Sequence, residues 1–130
     1  MLHAAAGAMV GRVVRSRPLA AIVGFGLHLA GDGIPHQDTE DEAFELVTGL
    51  AGLGLVAWRR GLLDPATIGA VACCLPDAEH LIPLPQPGGM KLFHDGRGWH
   101  PTEPGGISVQ AQIGLAALLL LAVGTRRRVA

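Results

Sequence analysis

The sequence predicts an all-α integral membrane protein, a four-helix bundle with both termini cytoplasmic. Three observations predict it. Hydrophobic residues make up 49% of the chain and gather into long blocks. Charged residues are only 16%, against about 25% in an ordinary soluble domain. The basic residues also recur at the same side of alternate blocks. Mean hydropathy is +0.38, and 130 residues make one membrane domain spanning 1–130. Ten Lys and Arg against eleven Asp and Glu leave a net charge of −1, so no net basic charge favours nucleic acid. Disorder, a coiled coil and a secreted disulfide scaffold are excluded by the same composition.

Each helix follows from its block. Crossing a bilayer core takes about 20 apolar helical residues, with about 17 as the lower limit. The first helix is expected from Pro18 to Ile34, and the second from Ala43 to Trp58. The third is expected from Ala66 to Leu84, and the fourth from Ile107 to Val123. A Pro/Gly-rich outer loop, 85–106, joins the last two. All four blocks lie near the short limit, so a soluble bundle of buried helices is the competing arrangement.

The charges favour the membrane. Arg12, Arg15 and Arg17 precede the first block, Arg59 and Arg60 follow the second, and Arg126, Arg127 and Arg128 follow the fourth. Four crossings put these clusters, eight of the ten basic residues, on one cytoplasmic side. The acidic run Asp38, Glu40, Asp41, Glu42 falls on the other side. Met1 to Val14, rich in Ala and Gly, reads as a helical lead-in on the cytoplasmic surface. Cys73 and Cys74 are adjacent and read as packing residues. Gly49, Gly52 and Gly54 suggest close helix contact and leave homo-oligomer formation open.

The histidines test this topology independently, because it rests on Lys and Arg alone. Five of six, His28, His36, His80, His94 and His100, converge on the outer face. Asp32, Asp77 and Glu79 join them. His28 and Asp32 are four apart and stack on one helix face; Asp77 and His80 are three apart, just after Pro76. Glu45, one turn inside the second helix, is able to face the group. Imidazole with carboxylate is the ligand set of zinc and related divalent ions. Ionisable groups at hydrocarbon depth mark function. His3, placed on the cytoplasmic side, is expected to take no part. HExxH, GxSxG and GxxxxGK[ST] are all missing from the sequence, and neither serine lies near a histidine.

The motifs HLAGDGIPH, PDAEH and HDGRGWH together resemble those of small inner-membrane metal-dependent hydrolases related to zinc phospholipase C. The resemblance covers Gly26 to His36 and Pro76 to His100. It implies metal ligation by His28, Asp32, Asp77 and His80, with His94 and His100 supplied by the loop. Asp95 stands where the family commonly has Arg, and Pro101 where it has Ser or Thr.

The expectation is therefore a multi-pass inner-membrane hydrolase with its site on the non-cytoplasmic face. One to three divalent ions, zinc first, are held among His28, Asp32, His36, Asp77, His80, His94 and His100. Metal-activated water attacks a phosphoester, with a membrane phospholipid headgroup as the substrate in view. Lys91 and Arg97 are the candidates for holding phosphate, and Glu79 or Asp95 for taking the proton. Two other classes remain: a metal-ion transporter or sensor, and a non-enzymatic scaffold subunit. A transporter needs ligands across the membrane, and the inner half of every segment lacks His, Asp and Glu.

Overall fold

The computed structural model of the chain describes residues 1–39, 41–82, 93 and 105–125. Five α-helices form among these residues: α1 (Leu2–Val14), α2 (Arg17–Asp32), α3 (Glu42–Arg60), α4 (Pro65–Cys74) and α5 (Val109–Gly124). A 3-10 helix, Pro76–His80, follows α4. The all-helical class is as expected, while the helix count differs by one. The extra helix is the segment read as a lead-in.

Local chemistry sets most of the boundaries. Asp41 caps α3, its carboxylate accepting from the Phe44 amide at 3.0 Å. Glu42 and Glu45 then lie in the first turn and Arg59 and Arg60 in the last, the signs the helix dipole favours. Asp64 caps α4 by accepting from the Ala66 amide at 2.8 Å, with Pro65 in the first turn. Ser108 does the same for α5, accepting from the Ala111 amide at 3.2 Å. Asp41→Ala should cost about 1 kcal/mol, the usual worth of such a cap. Thermal unfolding followed by helical circular dichroism measures it.

The third expected helix, Ala66 to Leu84, is corrected. It stops at Cys74, and Pro76 starts a separate 3-10 turn. Proline lacks the N–H that an α-helix needs and its ring crowds the carbonyl four residues back. Ten residues make α4, a rise of only about 15 Å. No helix among the described residues is long and apolar enough to cross a membrane.

Arg15 takes the left-handed conformation (φ 58°), its amide closing on the Gly11 carbonyl at 3.0 Å. That turn sends α2 back along α1. Small residues let the backbones approach: α1 packs most extensively on α4 and then on α2. A Cβ added at Gly7 would sit 2.6 Å from the Cys73 Cβ, and one at Gly24 would sit 2.6 Å from the Gly69 carbonyl oxygen. At one end of the bundle Arg12 donates to the Ala122 carbonyl and, at 2.9 Å, to the Thr125 hydroxyl. Arg60 pairs with Asp64 at 3.4 Å near that same end. At the other end Gln37 donates to the Ile107 carbonyl at 3.0 Å and Ile107 to the Pro35 carbonyl at 3.0 Å. Here Met1 and His3 lie beside Asp32 and Asp77.

The placing of the N-terminus beside the arginine clusters is therefore corrected as well. The chain starts at the histidine end, whereas Thr125 lies at the arginine end. The expectation failed because α1 runs antiparallel to α2 instead of lying apart from it. Arg126 to Arg128 fall outside the described residues.

Burial is inverted relative to a water-soluble core. The buried apolar residues are mainly alanines, among them Ala4, Ala8, Ala20, Ala66, Ala70 and Ala116, with Val56, Val123 and Cys73. Large side chains face outward on α2, α3 and α5: Ile22 is 69% exposed, Val47 64%, Trp58 74% and Leu121 70%.

Candidate metal centre

Three elements meet at the histidine end. α2 brings His28 and Asp32 one turn apart on its buried face, α1 brings His3 alongside, and the 3-10 helix brings Asp77. His28 and Asp32 are both buried to within about a per cent of completely. His28 Nε2 lies 3.0 Å from Asp32 Oδ2 and 3.5 Å from Asp77 Oδ1. His3 Nε2 lies 3.2 Å from Asp32 Oδ1, and its ring stacks on His28 with centroids 4.1 Å apart. His3, His28 and Asp77 each offer one ligand atom, all within 4.8 Å of one another.

The orientation of His28 carries chemical information. Its Nδ1 is 2.7 Å from the Cys73 carbonyl oxygen, which can only accept, so Nδ1 carries the hydrogen. Nε2 is left facing two carboxylates. Lone pair toward carboxylate is repulsive, so a cation belongs at Nε2: a proton on the ring or a metal ion. A backbone carbonyl fixing one ring nitrogen while the other points at the ion is the usual arrangement of a ligating histidine. The spacings fit the same conclusion. Donors about 2.0–2.1 Å from a tetrahedral zinc stand about 3.3 Å from one another; His28 Nε2 and Asp77 Oδ1 stand 3.5 Å apart, and the three ligand atoms all lie within 4.8 Å. Two imidazoles and a carboxylate also match the three-ligand set of catalytic zinc sites, which keep one position open. Asp32 touches both histidines and braces them, or joins as a further ligand.

The group opens onto a cavity of about 940 Å³. Asp77, whose side chain is 45% exposed, forms part of its wall together with His36, His80 and Glu45. His36 and His80 are thus brought to the site's cavity without joining the three-atom group. His36 Nδ1 donates to the Ile34 carbonyl at 2.7 Å, and its Nε2 lies 3.3 Å from Asp38 Oδ1. His80 is exposed on the 3-10 helix, where residues three apart eclipse, so it shares a side with Asp77. Glu79 is buried, and its Oε2 accepts the Phe93 amide at 3.2 Å. Lys91, His94, Asp95, Arg97 and His100 lie outside the described residues.

His3 is the residue that the sequence reading excluded and the structure brings in. Its position follows from the Arg15–Ser16 turn. His3 is twelve residues before Arg15 and His28 twelve after Ser16, so an antiparallel pair of helices sets them level. The GxxxG spacing of Gly7 and Gly11 was the available sign that α1 packs as a core helix.

Comparison with protein-family models, with curated proteins and with solved structures found no match.

Proposed function

We propose that this chain is a membrane-embedded, metal-dependent hydrolase whose substrate is a phosphoester, in the first instance a phospholipid headgroup. The observation that carries the metal is His28: its Nδ1 is held by a backbone carbonyl while Nε2 faces Asp32 and Asp77. His3, His28 and Asp77 would hold the ion. A divalent ion such as zinc supplies Lewis acidity toward a phosphoryl oxygen and lowers the pKa of water to about 7.

The residues supply the rest. The Cys73 carbonyl keeps His28 in one tautomer and one orientation. Asp32, 3.0 Å from the His28 ring and 3.2 Å from the His3 ring, fixes their spacing as a carboxylate. Asp77 stands where the buried group meets the cavity, so a substrate entering from the cavity meets the donors on their open side. Ligands confined to one end of the bundle suit chemistry at a surface better than ion passage through it.

The inverted burial supports the membrane. Alanine and glycine inside with Leu, Ile and Val outside is how helices pack when lipid is the solvent, and apolar exposure on this scale marks a partner or a membrane. The helices are short for a bilayer core of about 30 Å, so the proposal requires local thinning of the bilayer or shallow seating.

Two measurements test it. Membranes washed with alkaline carbonate should retain the chain in the pellet. Protein purified in detergent without a histidine tag should contain one to three equivalents of zinc or manganese by mass spectrometry. Chelation should then abolish turnover in a screen of phospholipids and phosphoesters, and zinc restore it. Folded protein with no metal, or activity indifferent to chelator, would reject the hydrolase.

A further inference from the structure

Asp77 is the ligand with the least support from its own backbone. Its 3-10 helix has five residues, and such turns have poorer hydrogen-bond geometry than an α-helix. On the near side the turn is held by buried Pro76. On the far side stands Glu79, only 7% exposed and two residues beyond Asp77. Glu79 Oε2 accepts the Phe93 amide at 3.2 Å. The Phe93 ring in turn meets Phe25 edge-on, with centroids 5.5 Å apart and planes at 79°. Phe25 lies on α2, three residues ahead of His28. The contacts thus close a circuit from Asp77 through Glu79, Phe93 and Phe25 to His28.

We propose that Glu79 is a positioning residue: through Phe93 and Phe25 it clasps the 3-10 helix to α2 and so holds Asp77 against His28. This rests on the metal-site reading above and replaces the proton-accepting role expected for Glu79. A base must reach water beside the ion. The described cavity wall includes Asp77 and His80, the neighbours of Glu79, but not Glu79 itself. A carboxylate accepting a backbone amide forms a stronger bond than a neutral acceptor, and buried groups orienting a ligand change metal affinity by 10–100-fold when removed.

The test uses the full chain in detergent, with cobalt(II) as the probe and its visible absorption as the readout. Glu79→Ala should weaken cobalt binding about 10–100-fold and alter the absorption bands. Hydrogen exchange of the peptide containing Phe93 should accelerate in the metal-free variant. Glu79→Gln keeps an oxygen that accepts the amide, so it should retain wild-type bands and near wild-type affinity. Phe25→Leu removes the ring contact but leaves the carboxylate. It should weaken binding in the direction of Glu79→Ala, and it carries the test if Glu79→Ala does not fold.

Wild-type cobalt affinity and bands in both Glu79→Ala and Phe25→Leu would overturn the proposal. So would Glu79→Gln losing turnover while keeping its metal, which would restore the proton-accepting role. If the wild-type chain binds no cobalt, the metal reading fails and the positioning role with it. Exchange at Phe93 still shows in that case whether the clasp exists.

Discussion

His28→Ala is expected to leave the protein without metal and without turnover. His28 is the hub of the group: its Nε2 is the atom within reach of both Asp32 and Asp77. Removing it leaves His3 and Asp77 with no donor between them. Two consequences need separating. Breaking a buried ion pair costs at most about 3–5 kcal/mol by itself, and less here, because the His3 imidazole still faces the buried Asp32 carboxylate at 3.2 Å. That loss occurs whether the cation at Nε2 is a proton or a metal. The metal adds a term the proton lacks. Ligand at 1,000 times its Kd stabilises the folded state by about 4 kcal/mol, so zinc should raise the Tm of the wild-type chain and leave that of His28→Ala unchanged. His3→Ala, in a half-buried position, should reduce the zinc-induced rise without abolishing it. Equal zinc responses in wild type and His28→Ala would mean that the ion sits elsewhere, and the site would have to be abandoned.

Parts of this centre were legible in the sequence because they are local. His28 and Asp32 share a helix face by spacing alone, and Asp77 and His80 remain on one side even though their turn is 3-10 and not α. The starts of α3, α4 and α5 fall within two residues of the expected Ala43, Ala66 and Ile107, because each apolar block begins where the polar residues before it end. What escaped was non-local or carried by backbone. The atom that orients His28 is the carbonyl of Cys73, a group every residue has, so no side-chain pattern could reveal it. α1 escaped for a different reason. At 13 residues it is well below spanning length, so a reading based on apolar length and arginine placement left it out of the bundle and put His3 at the wrong end. Its small residues were the evidence against that reading. Alanine and glycine contribute little to an apolar block, yet they decide how closely two helices can meet.

Gly69 tests that closeness, and its replacement should have the largest effect on the fold. A Cβ there would lie 3.2 Å from the Gly7 carbonyl carbon and 3.3 Å from the Gly11 amide nitrogen, both backbone atoms that no rotamer change can move. On the adjoining face, the Gly69 carbonyl is itself approached by Gly24 of α2. α4 is thus pinned between two helices, and it cannot slide away from one without entering the other. Gly69→Ala should destabilise by about 1–3 kcal/mol, the usual cost of overpacking, and Gly69→Leu should prevent the helices from assembling. Gly26→Ala is the control, since no described residue lies within 4 Å of a Cβ at that position. It sits inside α2, where replacing glycine by alanine should stabilise by up to about 1 kcal/mol. Opposite signs at two glycines would show that contact between backbones, and not helix propensity, sets the stability. The same experiment reaches the metal. Forcing α1 from α4 carries His3 away from His28, so Gly69→Ala should weaken zinc binding although no ligand has been altered. Unchanged zinc affinity in a destabilised Gly69→Ala would show that His3 is dispensable, leaving His28, Asp32 and Asp77 to hold the ion.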